Sequence, residues 1–145
     1  MKILVDADAC PVKDIIEDIA GNYSLQVIMI SNPSHNIRSS YSDIIMVDGG
    51  AEAVDIAVVN RSKAGDIVVT QDYGLASMVL GKGAAAINPS GKIYTMENID
   101  GLLMQRYLNY KARKVGLKTI NPRKRSAKDD QRFTRNFTEL IEKLI

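Results

Sequence analysis

The stretch KILVDADACP, residues 2–11, decides the fold. Its first five residues form an apolar run closed by an acid, too short for a helix and rich in Ile and Val, so residues 2–6 read as a buried strand. Pro11 suits the first position of a helix. Val12, Ile15, Ile16 and Ile19 then recur at i, i+3, i+4 and i+7 until Gly21-Asn22 ends the run. A buried strand feeding an amphipathic helix is the opening of an α/β unit, and the alternation continues outward. Apolar strands are predicted at 25–30, 43–48, 67–70 and 84–87, with a short addition at 93–95. Helices are predicted at 51–63, 73–80 and 97–114, and from about 128, where Phe133, Phe137, Leu140, Ile141 and Leu144 make one stripe. Residues 31–42 and the basic, Pro-punctuated 116–127 read as loops. The expected fold is α/β, a single-domain three-layer sandwich with a mostly parallel sheet over residues 1–145, carrying a basic C-terminal loop and helix from about 115.

Composition agrees with one globular domain. The chain has 145 residues, 46% of them hydrophobic and 25% charged, enough to bury a core. No apolar run approaches ~20 residues, so no membrane span is expected. The single cysteine excludes an internal disulfide and a thiolate zinc site and points to a reducing cytoplasm. The net charge of +2 conceals a split. Residues 1–105 hold 7 Lys/Arg against 13 Asp/Glu, whereas residues 106–145 hold 12 against 4. An acidic body with a basic end suits a cation-attracting pocket beside a polyanion-attracting surface, although a solvated Lys/Arg-rich helix would give the same count.

In open parallel sheets, ligands gather outside the carboxyl ends of the strands. Asp6 closes the first strand and Asp72 follows the fourth, which puts both on one rim. Asp8 lies two residues beyond Asp6. Glu52 and Asp55 stand three apart on the second helix and share a face of it. Together they predict a cup of carboxylates. Such groups within ~4–6 Å repel unless protonated or bridged by a cation, and oxygen ligands suit Mg²⁺ or Mn²⁺. That chemistry leads to phosphodiester hydrolysis. Each acid also has a structural reading. Asp8 can favour the first helix's positive end, Asp55 can be an exposed helix acid, and Asp72 can be a turn residue. Asp6 is hardest to explain away, because an acid closing an apolar strand is desolvated without a partner.

Long segments carry a family likeness. VDADACPVK (5–13), EAVDIAVVNR (52–61), GDIVVTQDYGLASMVLGKGA (65–84), NIDGLLMQRYL (98–108) and SAKDDQRF (126–133) resemble the bacterial YaiI/YqxD family over nearly the whole chain. That family is similar to the PIN-like nuclease superfamily, which implies a parallel sheet with metal-binding acids at strand ends. The likeness points to Asp6, Asp55 and Asp72 as those acids, places Asp8 in a DAD motif, and matches Asp129 to an acid of a C-terminal signature. TINPRKR (119–125) departs from the family's Gly/Pro-rich pattern there.

Asp6-Ala-Asp8 is also similar to the opening of haloacid-dehalogenase-type phosphatases. That chemistry needs a further acid pair closing another strand, and Asp66 and Asp72 are predicted at opposite ends of theirs. Cys10, near the first helix, reads as a packing residue. His35 is a polar-loop residue, and Tyr107 and Tyr110 at helical spacing read as core or partly buried, with base stacking the alternative. The leading expectation is a metal-dependent nuclease acting on RNA ahead of DNA. Asp6, Asp55 and Asp72 would hold Mg²⁺ or Mn²⁺, Asp8 would join them in catalysis, and Glu52 and Asp129 are additional acids. Arg123, Lys124, Arg125, Lys128, Arg132 and Arg135 would steer the backbone. The alternatives are a non-catalytic nucleic-acid or nucleotide binding module and a small-molecule phosphatase.

Overall fold

The computed structural model describes residues 1–119 and 123–145. Strands β1 (Lys2–Asp6), β2 (Gln26–Ser31), β3 (Asp43–Met46), β4 (Ile67–Val69), β5 (Ala85–Ile87) and β6 (Ile93–Tyr94) form one sheet in the order β3-β2-β1-β4-β5-β6. The first five run parallel, and β6 pairs antiparallel with β5. The helices are α1 (Lys13–Asn22), α2 (Ala51–Arg61), α3 (Tyr73–Gly81), α4 (Met96–Lys114) and α5 (Ala127–Leu144).

Successive side chains of a strand point to opposite faces, so one apolar run serves two cores. Ile3 and Val5 of β1 pack with α1 and α5, whereas Leu4 between them packs with α2, α3 and the start of α4. Phe133 and Phe137 fill the first core, fully buried with ring centroids 5.0 Å apart. The result is the three-layer sandwich expected from the alternation.

Differences from the sequence reading are small and local. Helix α1 starts at Lys13, because Val12 keeps non-helical angles and its carbonyl accepts the first helical bond, from Ile16 N–H at 2.9 Å. Pro11 therefore sits in the preceding turn. Leu144, placed on the inner stripe of α5, is 41% exposed in its last turn. The departing segment 119–125 is only partly covered, since 120–122 lie outside the described residues.

Two features position the functional region. The chain moves outward from β1 to β2 and β3, then crosses back to β4 on the other side of β1. The connections after β1 and β4 thus diverge, opening a crevice above their carboxyl ends. The β5–β6 turn, in addition, is pressed against α5. Gly91 adopts φ +96°, and a Cβ there would meet the Arg132 carbonyl carbon and Phe133 nitrogen at 2.8 Å. Asn136 Nδ2 donates to Gly91 O at 2.7 Å and clamps the contact. This contact sets the arginines at the start of α5 beside the crevice.

Candidate active site

Asp6, the last residue of β1, accepts the Thr70 hydroxyl at 2.9 Å. Thr70 Oγ1 in turn accepts the Asp72 N–H at 2.9 Å, so one hydroxyl links both acids at the ends of β1 and β4. Asp72 caps α3, its Oδ1 accepting Gly74 N–H at 2.8 Å and Leu75 N–H at 3.2 Å. Asp8 Oδ1 accepts Asn32 N–H at 2.9 Å, tying the loop after β1 to the loop after β2. Asp55 arrives from α2, one turn beyond Ala51. Asp6, Asp8, Asp55 and Asp72, with Ala9, Cys10, Ala51, Gln71 and Pro89, line a single hollow of about 150 Å³.

The electrostatics of this hollow are unfavourable for four ionised carboxylates. Burial first, then the neighbouring Asp72 and Asp6 charges, push the Asp55 carboxyl up to about 6. A protonated Asp55 can share its hydrogen with Asp72. Burial also raises Asp6, with Asp8 and Asp72 adding to it and the Thr70 hydroxyl opposing it. Desolvation and like charge both act to keep a proton in the site, and a cation would relieve both.

The carboxylates are nevertheless splayed. Among the described residues, no three His, Cys, Asp or Glu side chains are drawn together closely enough to enclose one ion. The local bonds explain why: Asp6 is held by Thr70, Asp8 by Asn32 and Asp72 by the start of α3, while mutual repulsion opposes closer approach. The donor set is all oxygen, which suits a hard cation.

Two of the additional acids fall elsewhere. Glu52 is exposed and outside the hollow, acting on it only by raising Asp55 through its charge. Asp129 is 4% exposed and accepts Ser126 N–H in the capping box that opens α5. It also accepts two bonds from Arg123, at 2.7 and 3.2 Å, and the Ser126 N–H and Arg123 together hold its carboxyl below the usual range. It anchors arginines beside the hollow.

Those arginines form a second cleft. Arg123, Arg125 and Arg132 line it with Pro11, Asn88, Ser90 and Asp129, and it shares Gln71 and Pro89 with the acid hollow. Arg125 is fixed by Pro89 O at 2.9 Å and by Asp130 at 2.6 Å. Lys124, Lys128 and Arg135 are exposed and lie outside the cleft lining.

Sequence reading missed three contributors. Thr70 directly follows β4, two residues before Asp72, and that Thr-x-Asp spacing was the available signal. His35 Nε2 lies 3.9 Å from Asp8, brought there by the loop after β2, and no local pattern announces it. Arg106 of α4 reaches to 3.8 Å from Asp72. The readings of the other residues divide. Cys10 is a buried packing residue whose thiol is raised by burial. Asp66 stands at the amino end of β4, opposite the hollow, as the phosphatase objection required. Tyr107 and Tyr110, read as core or partly buried with base stacking the alternative, are each 53% exposed.

Comparison with known proteins gives a consistent picture. The family model described as "Uncharacterized BCR, YaiI/YqxD family" matches residues 4–143. A UPF0178 protein of Clostridium tetani is 53% identical over 143 residues, covering 99% of this chain and 98% of the relative. Another, of Clostridium acetobutylicum, is 50% identical and covers 97% of each chain, and one of Natranaerobius thermophilus is 47% identical over 97% of this chain and 96% of its own. No solved structure matches.

Proposed function

The chain belongs to the YaiI/YqxD family, and from the site just described we propose that it is a divalent-metal-dependent phosphodiesterase acting on nucleic acid, RNA ahead of DNA. The observation that carries this reading is the shared wall. Gln71 and Pro89 belong both to the hollow of four aspartates and to the cleft of three arginines. A phosphate held by Arg123, Arg125 and Arg132 would present its neighbour in the strand to the acids. The preference for RNA rests on the resemblance of the YaiI/YqxD family to the PIN-like nucleases.

Asp6, Asp55 and Asp72 would hold Mg²⁺ or Mn²⁺ with Asp8 beside them, and such an ion supplies polarisation of phosphoryl oxygens and activation of water. The chain's own groups perform the rest. The arginines bind and orient the backbone through charge-assisted hydrogen bonds. Thr70 holds Asp6 and Asp72 at a fixed separation across β1 and β4. Asp55, whose carboxyl is raised by burial and like charge, would give up its proton as the ion binds.

The test is cleavage of labelled RNA and single-stranded DNA with added Mn²⁺. Metal-dependent cleavage by the wild type that disappears in Asp6→Asn supports the proposal. One observation favours a second reading, a binding module without turnover: three of the four acids already serve structural bonds, and no ready cation cage is formed among the described residues. Salt-sensitive binding with no cleavage at any metal concentration would favour that reading instead.

A further inference from the structure

Helix α4 spans 19 residues, yet Ile99 near its start is its only buried residue. Its second half leaves the core, with Tyr107 and Tyr110 each 53% exposed. Residues 101–118 contain five Lys/Arg and no Asp or Glu. Tyr107 and Tyr110 are three residues apart, and Lys111 and Lys114 follow them at i+4, so rings and cations share one face. Lys111 Nζ lies 5.5 Å from the Tyr107 ring centroid and Lys114 Nζ 5.2 Å from that of Tyr110. Arg106 joins this face to the acid rim. It lies 3.8 Å from Asp72, walls one surface pocket with Asp6 and Asp72, and walls a second with Tyr107 and Tyr110.

We infer that this face of α4 is a binding site for the unpaired bases of a nucleic-acid strand running from Tyr110 past Arg106 into the acid hollow. Half-exposed rings alternating with cations match a strand that alternates bases with phosphates, and every base offers a face to stack. A duplex keeps those faces against its own neighbours and cannot use the rings. Charge argues against a second copy as the occupant, because a two-fold interface here would set the same acid-free cationic surface against itself. The direction of the strand rests on the hydrolytic reading of the hollow, but base binding by α4 does not.

Fluorescence anisotropy in EDTA tests it without turnover, using fluorescein-labelled oligouridylate of about 12 nucleotides, a site size common for single-strand binders, and a blunt RNA duplex of equal length. Wild type should bind the single strand more tightly. Tyr107→Ala and Tyr110→Ala should each weaken that binding by about tenfold, and the Phe variants should restore it. Duplex binding and Mn²⁺-dependent hydrolysis of bis-para-nitrophenyl phosphate should stay unchanged in all four. Lys111→Gln with Lys114→Gln supplies an independent check, lowering the salt slope by about 2. Equal single-strand binding by the wild type and the double Ala variant overturns the inference. So does a dimer, seen by sedimentation, that the Ala variants dissociate while binding RNA normally. Ring-dependent binding without hydrolysis of any diester would leave the inference standing and remove the hydrolytic reading; hydrolysis with ring-independent binding would do the reverse.

Discussion

At the amino end of β4, Asp66 is 4% exposed and fully partnered, accepting Lys2 N–H at 3.1 Å, Lys2 Nζ at 2.6 Å and Lys63 N–H at 2.9 Å. At the carboxyl ends of β1 and β4, Asp6 has one hydroxyl donor, and among the described residues no backbone or cationic donor meets Asp55. The same residue type therefore sits in opposite circumstances at the two ends of one sheet. Burial alone would raise Asp66, but its Lys2 and Lys63 donors outweigh it and hold the carboxyl below its ordinary value. Burial raises Asp55 with only like charges beside it. Asp66 is surrounded by donors, whereas Asp55 has none among the described residues.

The largest expected effect separates the two ends by activity. If the hollow is the hydrolytic site, Asp6→Asn should lower Mn²⁺-dependent diester cleavage by on the order of a thousandfold, about 4 kcal/mol of transition-state stabilisation. The same change should leave metal-free stability nearly unaltered, since an amide can still accept the Thr70 hydroxyl. Asp66→Ala should do the opposite, costing about 3 kcal/mol in chemical denaturation, because it leaves Lys2 and two backbone N–H groups without their acceptor. Unchanged stability in Asp66→Ala would erase the comparison.

A smaller effect appears with pH. The folded Asp55 carboxyl titrates at about 6, above its unfolded value of about 3.9. Between those values the folded chain binds more protons, so this group's contribution to stability falls as pH rises from about 4 to 6. Metal-free Asp55→Asn should therefore melt about 2–4 °C higher than wild type at pH 7.5, with the gap closing toward pH 4. A gap that widens in acid would contradict the assignment. The smallest effect belongs to the partnered acid beside the hollow: Asp129→Asn should cost about 1 kcal/mol through the cap of α5 and its Arg123 pair. It should also weaken RNA binding less than Arg125→Gln does.

Much of this was legible in the sequence, for identifiable reasons. Buried parallel strands read as apolar runs, so KILVD, QVIMI and IVV announced the sheet. Asp6 and Asp72 could be placed on one rim because parallel strands put their carboxyl ends together. Asp129 carried its own capping signal, Ser126-x-x-Asp129, which names a helix start more directly than a ligand. Helical spacing misled at Tyr107 and Tyr110, because periodicity defines a face but not whether anything packs on it. The arginine cleft depended on Gly91 pressing a turn against α5, a long-range contact with no local signature.

The central claim is that a cation bridges Asp6, Asp55 and Asp72, of which Asp55 has no backbone or cationic donor among the described residues and Asp6 only the Thr70 hydroxyl. Calorimetric titration of Mn²⁺ into the metal-free protein tests it directly, at pH 7.5 and again at pH 5, where Asp55 is largely protonated. Saturable binding at pH 7.5 that weakens at pH 5 and vanishes in Asp6→Asn is the predicted result. Absent binding at pH 7.5, or binding indifferent to Asp6→Asn and Asp55→Asn, would contradict it.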